Sequence, residues 1–205
     1  MRAFAPVALL LLTASCATPD TLPGGEGALY RHIAYLASDE LAGRAPGTPG
    51  GAQAEAYVAK EFTAIGLLPG APSGGWFQAV AVPPKPGQLE PGPILANNVI
   101  GRIAGSDRGG EAIIFLAHAD HVGLCRPPGA VDRICNGAVD NASGVASLIV
   151  VARALAQGPR PRRDILFVAT AAEEAGLVGV RTFVADPSVP LEHIVAGINL
   201  DTSAV

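Results

Sequence analysis

From residue 98 onward, strand-like apolar runs alternate with single helical stretches. No other feature of the chain constrains its fold as much. Residues 98–103 and 112–117 read as strands, the second an unbroken apolar run. A buried-type helix follows at 141–156, a strand at 164–170 (DILFVAT), a helix at 177–185 and a strand at 194–200. Strands separated by single helices predict an α/β fold in three layers, a mainly parallel (mixed) sheet flanked by helices. Upstream, apolar residues at helical spacing predict helices over 28–41 and 52–65, the second ended by Gly66. GRAPGTPGG at 43–51 reads as a loop, 76–82 as an alternating strand, 83–93 as a Pro/Gly connection and 125–136 as a loop.

Length and composition bound the answer. The chain has 205 residues, of which 49% are hydrophobic and 16% charged, enough apolar material for one core. Its formal net charge of -4 excludes an electrostatic case for nucleic acid. Aromatics at 5% argue against a stacking surface, and three Cys are too few for a disulfide-built miniprotein. The first residues form an address. Arg2 precedes a short apolar run, and Thr13-Ala14-Ser15-Cys16 follows it. The pattern is that of a secretory signal over 1–15, too short to span a bilayer. It is similar to a bacterial lipobox, with Thr13 where Leu is usual. That similarity implies lipidation of Cys16; a tether over 16–27 and a folded domain over 28–205 would follow. The mature chain would then sit on the periplasmic side of a membrane, anchored by lipid, or be secreted. In such an oxidising compartment Cys125 and Cys135, which bracket a loop, are expected to form a disulfide.

Ligands of such sheets bind at the carboxyl ends of the strands. Polar residues collect there: His118-Ala119-Asp120-His121 after the second strand, Asp140 before the central helix, Glu173-Glu174 after strand 164–170, and Asp201 after the last strand. Each has a bland alternative. Asp140 alone could cap a helix, Glu173-Glu174 could open one, His118 could be a core histidine and Asp201 a turn residue. His121 and His193 are read as structural. Together, in order and after successive strands, the carboxylates would repel one another unless a cation neutralised them. Imidazole with hard oxygen donors suits Zn²⁺, Mn²⁺ or Co²⁺.

These stretches resemble the M28 family of zinc peptidases, with aminopeptidase-type paired metals. The matching segments are LASDELAGRAPGTPG (36–50), NNVIGRIAGSD (97–107), LAHADHVG (116–123), CNGAVDNASGVA (135–146), ATAAEEAGLVG (169–179) and INLD (198–201). The resemblance implies two zinc ions, with His118 and Asp201 on one, Glu174 on the other and Asp140 bridging. It implies Glu173 as the general base toward water activated at the zinc pair, and Asp120 as the residue that orients His118. It further implies peptide substrates, release of N-terminal residues, and often a cis peptide after the bridging Asp. A last zinc ligand, a His downstream of the final Asp, finds no counterpart before Val205. The expectation is therefore an N-terminal piece of a longer peptidase, with the second zinc site short of a ligand and weak activity or none. Two alternatives stand beside it: a glutaminyl-cyclase-like enzyme with one zinc, and a non-catalytic lipoprotein that binds peptide or a partner.

Overall fold

The computed structural model describes residues 26–84, 94–107 and 109–202. The predicted leader, Cys16 and most of the predicted tether lie outside them. The first helix, α1 (Glu26–Leu36), already includes the last two residues assigned to that tether. It ends earlier than the periodicity suggests. A separate 3-10 turn at Asp39–Leu41 follows, closed by Ala42 in the left-handed region (φ 45).

Helix α2 (Pro49–Ile65) begins inside the predicted loop. Thr48 is its N-cap, accepting from the Gly51 amide, and Pro49 occupies the first turn, where a missing N–H costs nothing. Gly66 (φ 88) closes it, as expected, by donating to the carbonyls of Phe62 and Thr63. The chain then forms β1 (Leu68–Pro69), β2 (Phe77–Val82), β3 (Ile94–Ile103) and β4 (Ala112–His118). Helix α3 (Ser143–Gln157), β5 (Asp164–Thr170), α4 (Val178–Ala185) and β6 (Ile194–Asn199) complete it.

The six strands form one mixed sheet in the order β1-β3-β5-β4-β6, with β2 also paired to β3. Strands β5, β4 and β6 are parallel to one another; β1, β2 and β5 all run antiparallel to β3. The sheet is thus less parallel than the strand–helix order implies. Residues 104–111, which join β3 to β4, are too short for a crossover of a dozen or more residues, so β4 returns antiparallel to β3.

Central strand β5 is buried on both faces, which explains its continuous apolar sequence. Alternate residues serve different layers. Ile165, Phe167 and Ala169 pack with Leu36, Val58, Phe62, Val145 and Leu148 of α1–α3. Leu166 and Val168 pack with Ile100, Ile114 and Phe183 of α4 on the other face. Helices on both faces give three layers. Phe167 anchors the first, stacked on Phe115 at 5.6 Å between centroids and tilted against Phe62 at 6.3 Å.

Candidate metal centre and active site

Because β4, β5 and β6 are parallel, their carboxyl ends share one edge of the sheet. His118 is the last residue of β4 and is buried, with 4% of its side chain exposed. Glu173 and Glu174 lie just past β5, and Asp201 just past β6. Asp140 comes from the tight turn Ala138–Ala142 that leads into α3. It does not cap that helix: α3 has no side-chain cap, and Asn141 Oδ1 instead accepts from the Gly144 amide at 3.0 Å. The Asp140–Asn141 peptide is cis. Nor do the two glutamates open α4, which starts at Val178.

Two groups of donor atoms form at this edge, each with its atoms within 4.8 Å of one another: His118, Asp140 and Asp201, and His121, Asp140 and Glu174. Asp140 belongs to both. In the first, His118 Nε2 lies 3.1 Å from Asp140 Oδ1 and 3.5 Å from Asp201 Oδ1. In the second, His121 Nδ1 lies 2.7 Å from Glu174 Oε1. Glu173 is in neither. The donors fit zinc: each group offers one imidazole and two carboxylates, ligands that Zn²⁺ takes readily.

Electrostatics agree with that fit. Burial opposes charge on His118, but the Asp120 carboxylate, with Glu173 and Asp201 behind it, prevails and pushes its pKa up to about 9. Carboxylates thus draw a positive charge into the place where a cation would sit. Glu173 is raised from the usual carboxylate range, chiefly by burial; His118 works against that shift, and Glu174, Asp120 and Asp201 add to it.

Asp120 is 4% exposed and does more than orient a histidine. Its carbonyl oxygen, not its carboxylate, is the hydrogen-bond partner of His118 Nδ1, at 3.2 Å; Oδ1 stands 3.8 Å away. The carboxylate accepts the backbone amides of Glu173 at 3.0 Å and Glu174 at 3.3 Å. It therefore ties the β4 end to the β5 end.

Three residues with no role assigned from sequence hold the rest. Arg44 is 1% exposed. Its Nε donates to Ala119 O at 3.1 Å, Nη1 to Leu36 O and to Asn136 O at 2.6 Å, and Nη2 to Gly137 O at 3.0 Å. Burial lowers its pKa to about 10, against the pull of Asp120, Asp140 and Glu174, so it stays charged near neutral pH. Asn141 Nδ2 donates to Leu200 O at 3.0 Å, joining the Asp140 turn to the strand end that carries Asp201. His121, read as structural, belongs to the second group of donors; its closeness to His118 in HADH was the available signal. His193 sits before β6, at the opposite end of that strand from Asp201.

Two cavities flank the donors. One of about 250 Å³ is lined by Leu116, His118, Glu173, Leu177, Val180 and Asp201 among others. The other, of about 210 Å³, lies beside His121 and Glu174, with walls from Pro46, Val82, Ile94 and Val122. Cys125 and Cys135 are paired as a disulfide, Cα atoms 5.8 Å apart, at the base of the loop between the His118 and Asp140 segments.

Comparison with known proteins gives a consistent result. Solved structures share the fold. A leucine aminopeptidase precursor from Bacteroides thetaiotaomicron has a TM-score of 0.68 at 22% identity, covering 86% of this chain and 61% of that one. A glutaminyl cyclase from the same organism, bound to N-acetylhistamine, matches with the same values. A Zn-dependent exopeptidase from Parabacteroides distasonis gives 0.65 at 21% identity, covering 86% and 61%. Among curated relatives, a vacuolar membrane protease of Candida dubliniensis is 38% identical over 92 residues, 45% of this chain and 9% of the relative. The aminopeptidase NAALADL1 of Mus musculus is 35% identical over 114 residues, 53% of this chain and 14% of the relative. The chain thus spans a small part of those relatives and about three fifths of the solved chains. The model of peptidase family M28 matches residues 98–205, which contain every donor described above, and the chain belongs to that family.

Proposed function

We propose that this chain carries a zinc-dependent hydrolytic centre that cleaves peptide bonds and releases N-terminal residues. The supporting observation is the pair of donor groups sharing Asp140, with Glu173 beside them and part of neither. Zinc, when bound, supplies Lewis acidity and lowers the pKa of water toward neutrality. His118 and Asp201 would hold one ion, Glu174 the other, with Asp140 common to both. Glu173 is the general base. Its raised pKa makes it a better proton acceptor from the attacking water, and it can return that proton to the leaving amine. Asp120 is a positioning residue, fixing the backbone of Glu173 and Glu174 through its carboxylate. The acidic edge favours a substrate with a cationic amino terminus.

The test is Glu173→Gln. Amide hydrolysis on aminoacyl anilides should fall at least about 100-fold while zinc content stays the same. Turnover equal to the parent chain would overturn the assignment.

A cyclase reading has one observation in its favour, the equal likeness to a glutaminyl cyclase. The second donor group supports a two-metal hydrolase over a one-zinc cyclase, and cyclisation of a glutaminyl peptide with release of ammonia would favour the cyclase. We infer export as well. The signal-like residues 1–15 followed by Cys16, and the Cys125–Cys135 disulfide, support a periplasmic lipoprotein or secreted protein. The intact mass of the mature chain should show loss of residues 1–15 and added acyl groups on Cys16; an unprocessed Met1 would refute it.

A further inference from the structure

The second group of donors contains a histidine that the family resemblance does not supply. We propose that His121 is itself a metal ligand, completing a second zinc site with Asp140 and Glu174 within this chain. This rests on the zinc-hydrolase reading above.

Four observations carry it. First, His121 Nδ1 is buried and has no hydrogen-bond partner, although Glu174 Oε1 is only 2.7 Å away. The approach is close, but its direction is wrong for a hydrogen bond. Nitrogen and carboxylate oxygen converging without donor geometry is the arrangement of two ligands aimed at one ion. A buried imidazole nitrogen left otherwise unpaired is costly. Second, the ring is held in place. Gly137 (φ 59) packs against it so closely that a Cβ there would sit 2.6 Å from His121 Cγ and Cδ2. The ring edge bearing Nδ1 is thereby turned toward the carboxylates.

Third, the loop carrying His121 is pinned on its far side. The His121 amide donates to Arg44 O at 3.4 Å, and the Gly123 amide to Gly43 O at 3.1 Å. Fourth, the two groups are chemically alike. Each has one imidazole and two carboxylates, and they share Asp140. If His118 with its carboxylates fits zinc, His121 with its own carboxylates fits equally. Three protein ligands are what a catalytic zinc carries while a further position stays open to substrate or water.

The experiment is zinc loading of the full chain, followed by metal analysis and X-ray absorption. The parent chain should bind two zinc ions, with one imidazole per ion on average. His121→Ala should retain one ion and weaken the other site at least about 100-fold, more than removal of a residue that only orients a ligand. His118→Ala serves as the second variant. Its remaining zinc should show an imidazole, and His118→Ala combined with His121→Ala should show none. These variants keep the test open should His121→Ala fold poorly, which circular dichroism reports. Two ions bound with unchanged affinity in His121→Ala would overturn this inference and leave the hydrolase reading standing. A parent chain that binds no zinc would overturn both.

Discussion

Arg44 shows how much of this centre depends on a residue that never reaches it. One guanidinium serves four backbone carbonyls, from Leu36, Ala119, Asn136 and Gly137. Three of those carbonyls, from Ala119, Asn136 and Gly137, lie next to the segments that carry Asp120 and Asp140. Among the described residues Arg44 is one of five non-glycine residues with positive φ (φ 52), a conformation the surrounding bonds must enforce. Lys has one compact head and cannot satisfy four carbonyls in a planar fork. Arg44→Lys should therefore lose at least about 3 kcal/mol in urea unfolding, from buried carbonyls left unpaired, and should weaken zinc binding as well. Wild-type stability in that variant would refute the role. At this scale His118, Asp140, Glu173, Glu174 and Asp201 were expected to gather at one sheet edge from their places after successive strands, and they do. Arg44, Asn141 and His121 were not. Their contacts depend on which loop folds against them, and nothing local to Arg44 announces the carbonyl of Gly137.

Among the elements, those buried on both faces were read best. The bounds of β5 matched residue for residue, since an unbroken apolar run between polar ends has few other uses. The stretch 43–51 misled. Its glycines suggest a loop, yet Gly50 and Gly51 are buried in the first turn of α2. They are small because the helix start lies against the preceding turn: a Cβ on Gly50 would overlap the carbonyl oxygen of Leu41. The cues for a helix start, Thr48 and Pro49, were present but outweighed by the glycines. Two substitutions separate these effects. Thr48→Ala should cost about 1 kcal/mol through the lost cap. Gly50→Ala should cost about 1–3 kcal/mol through overpacking, although Ala is the better helix former. Chemical denaturation of both would check the order; a stabilising Gly50→Ala would mean the Leu41–Gly50 contact is not tight. Strand β1 escaped notice because two residues carry no periodicity.

For the molecule as a whole, the donors come from four segments far apart in sequence, and zinc would fasten their ends together. Binding to the native state alone should raise stability by about 2.7 kcal/mol at 100 times the dissociation constant. Thermal melting with and without zinc, and after chelation, should show a rise in Tm that chelator reverses; an unchanged Tm would argue against a native metal site. Taken alone, the chain specifies its layers and the kind of residues that collect at its strand ends. Hydrophobic periodicity sets strand and helix, and the carboxylates with His118 after successive strands point to a metal centre, since those patterns are local. Only the packed structure decides which neighbours meet. It turned β3 antiparallel, gave the carboxylate of Asp120 to the glutamate backbone, and drew His121 toward Glu174. Those outcomes depend on distances between loops separated by dozens of residues, which the sheet sets and local sequence does not encode.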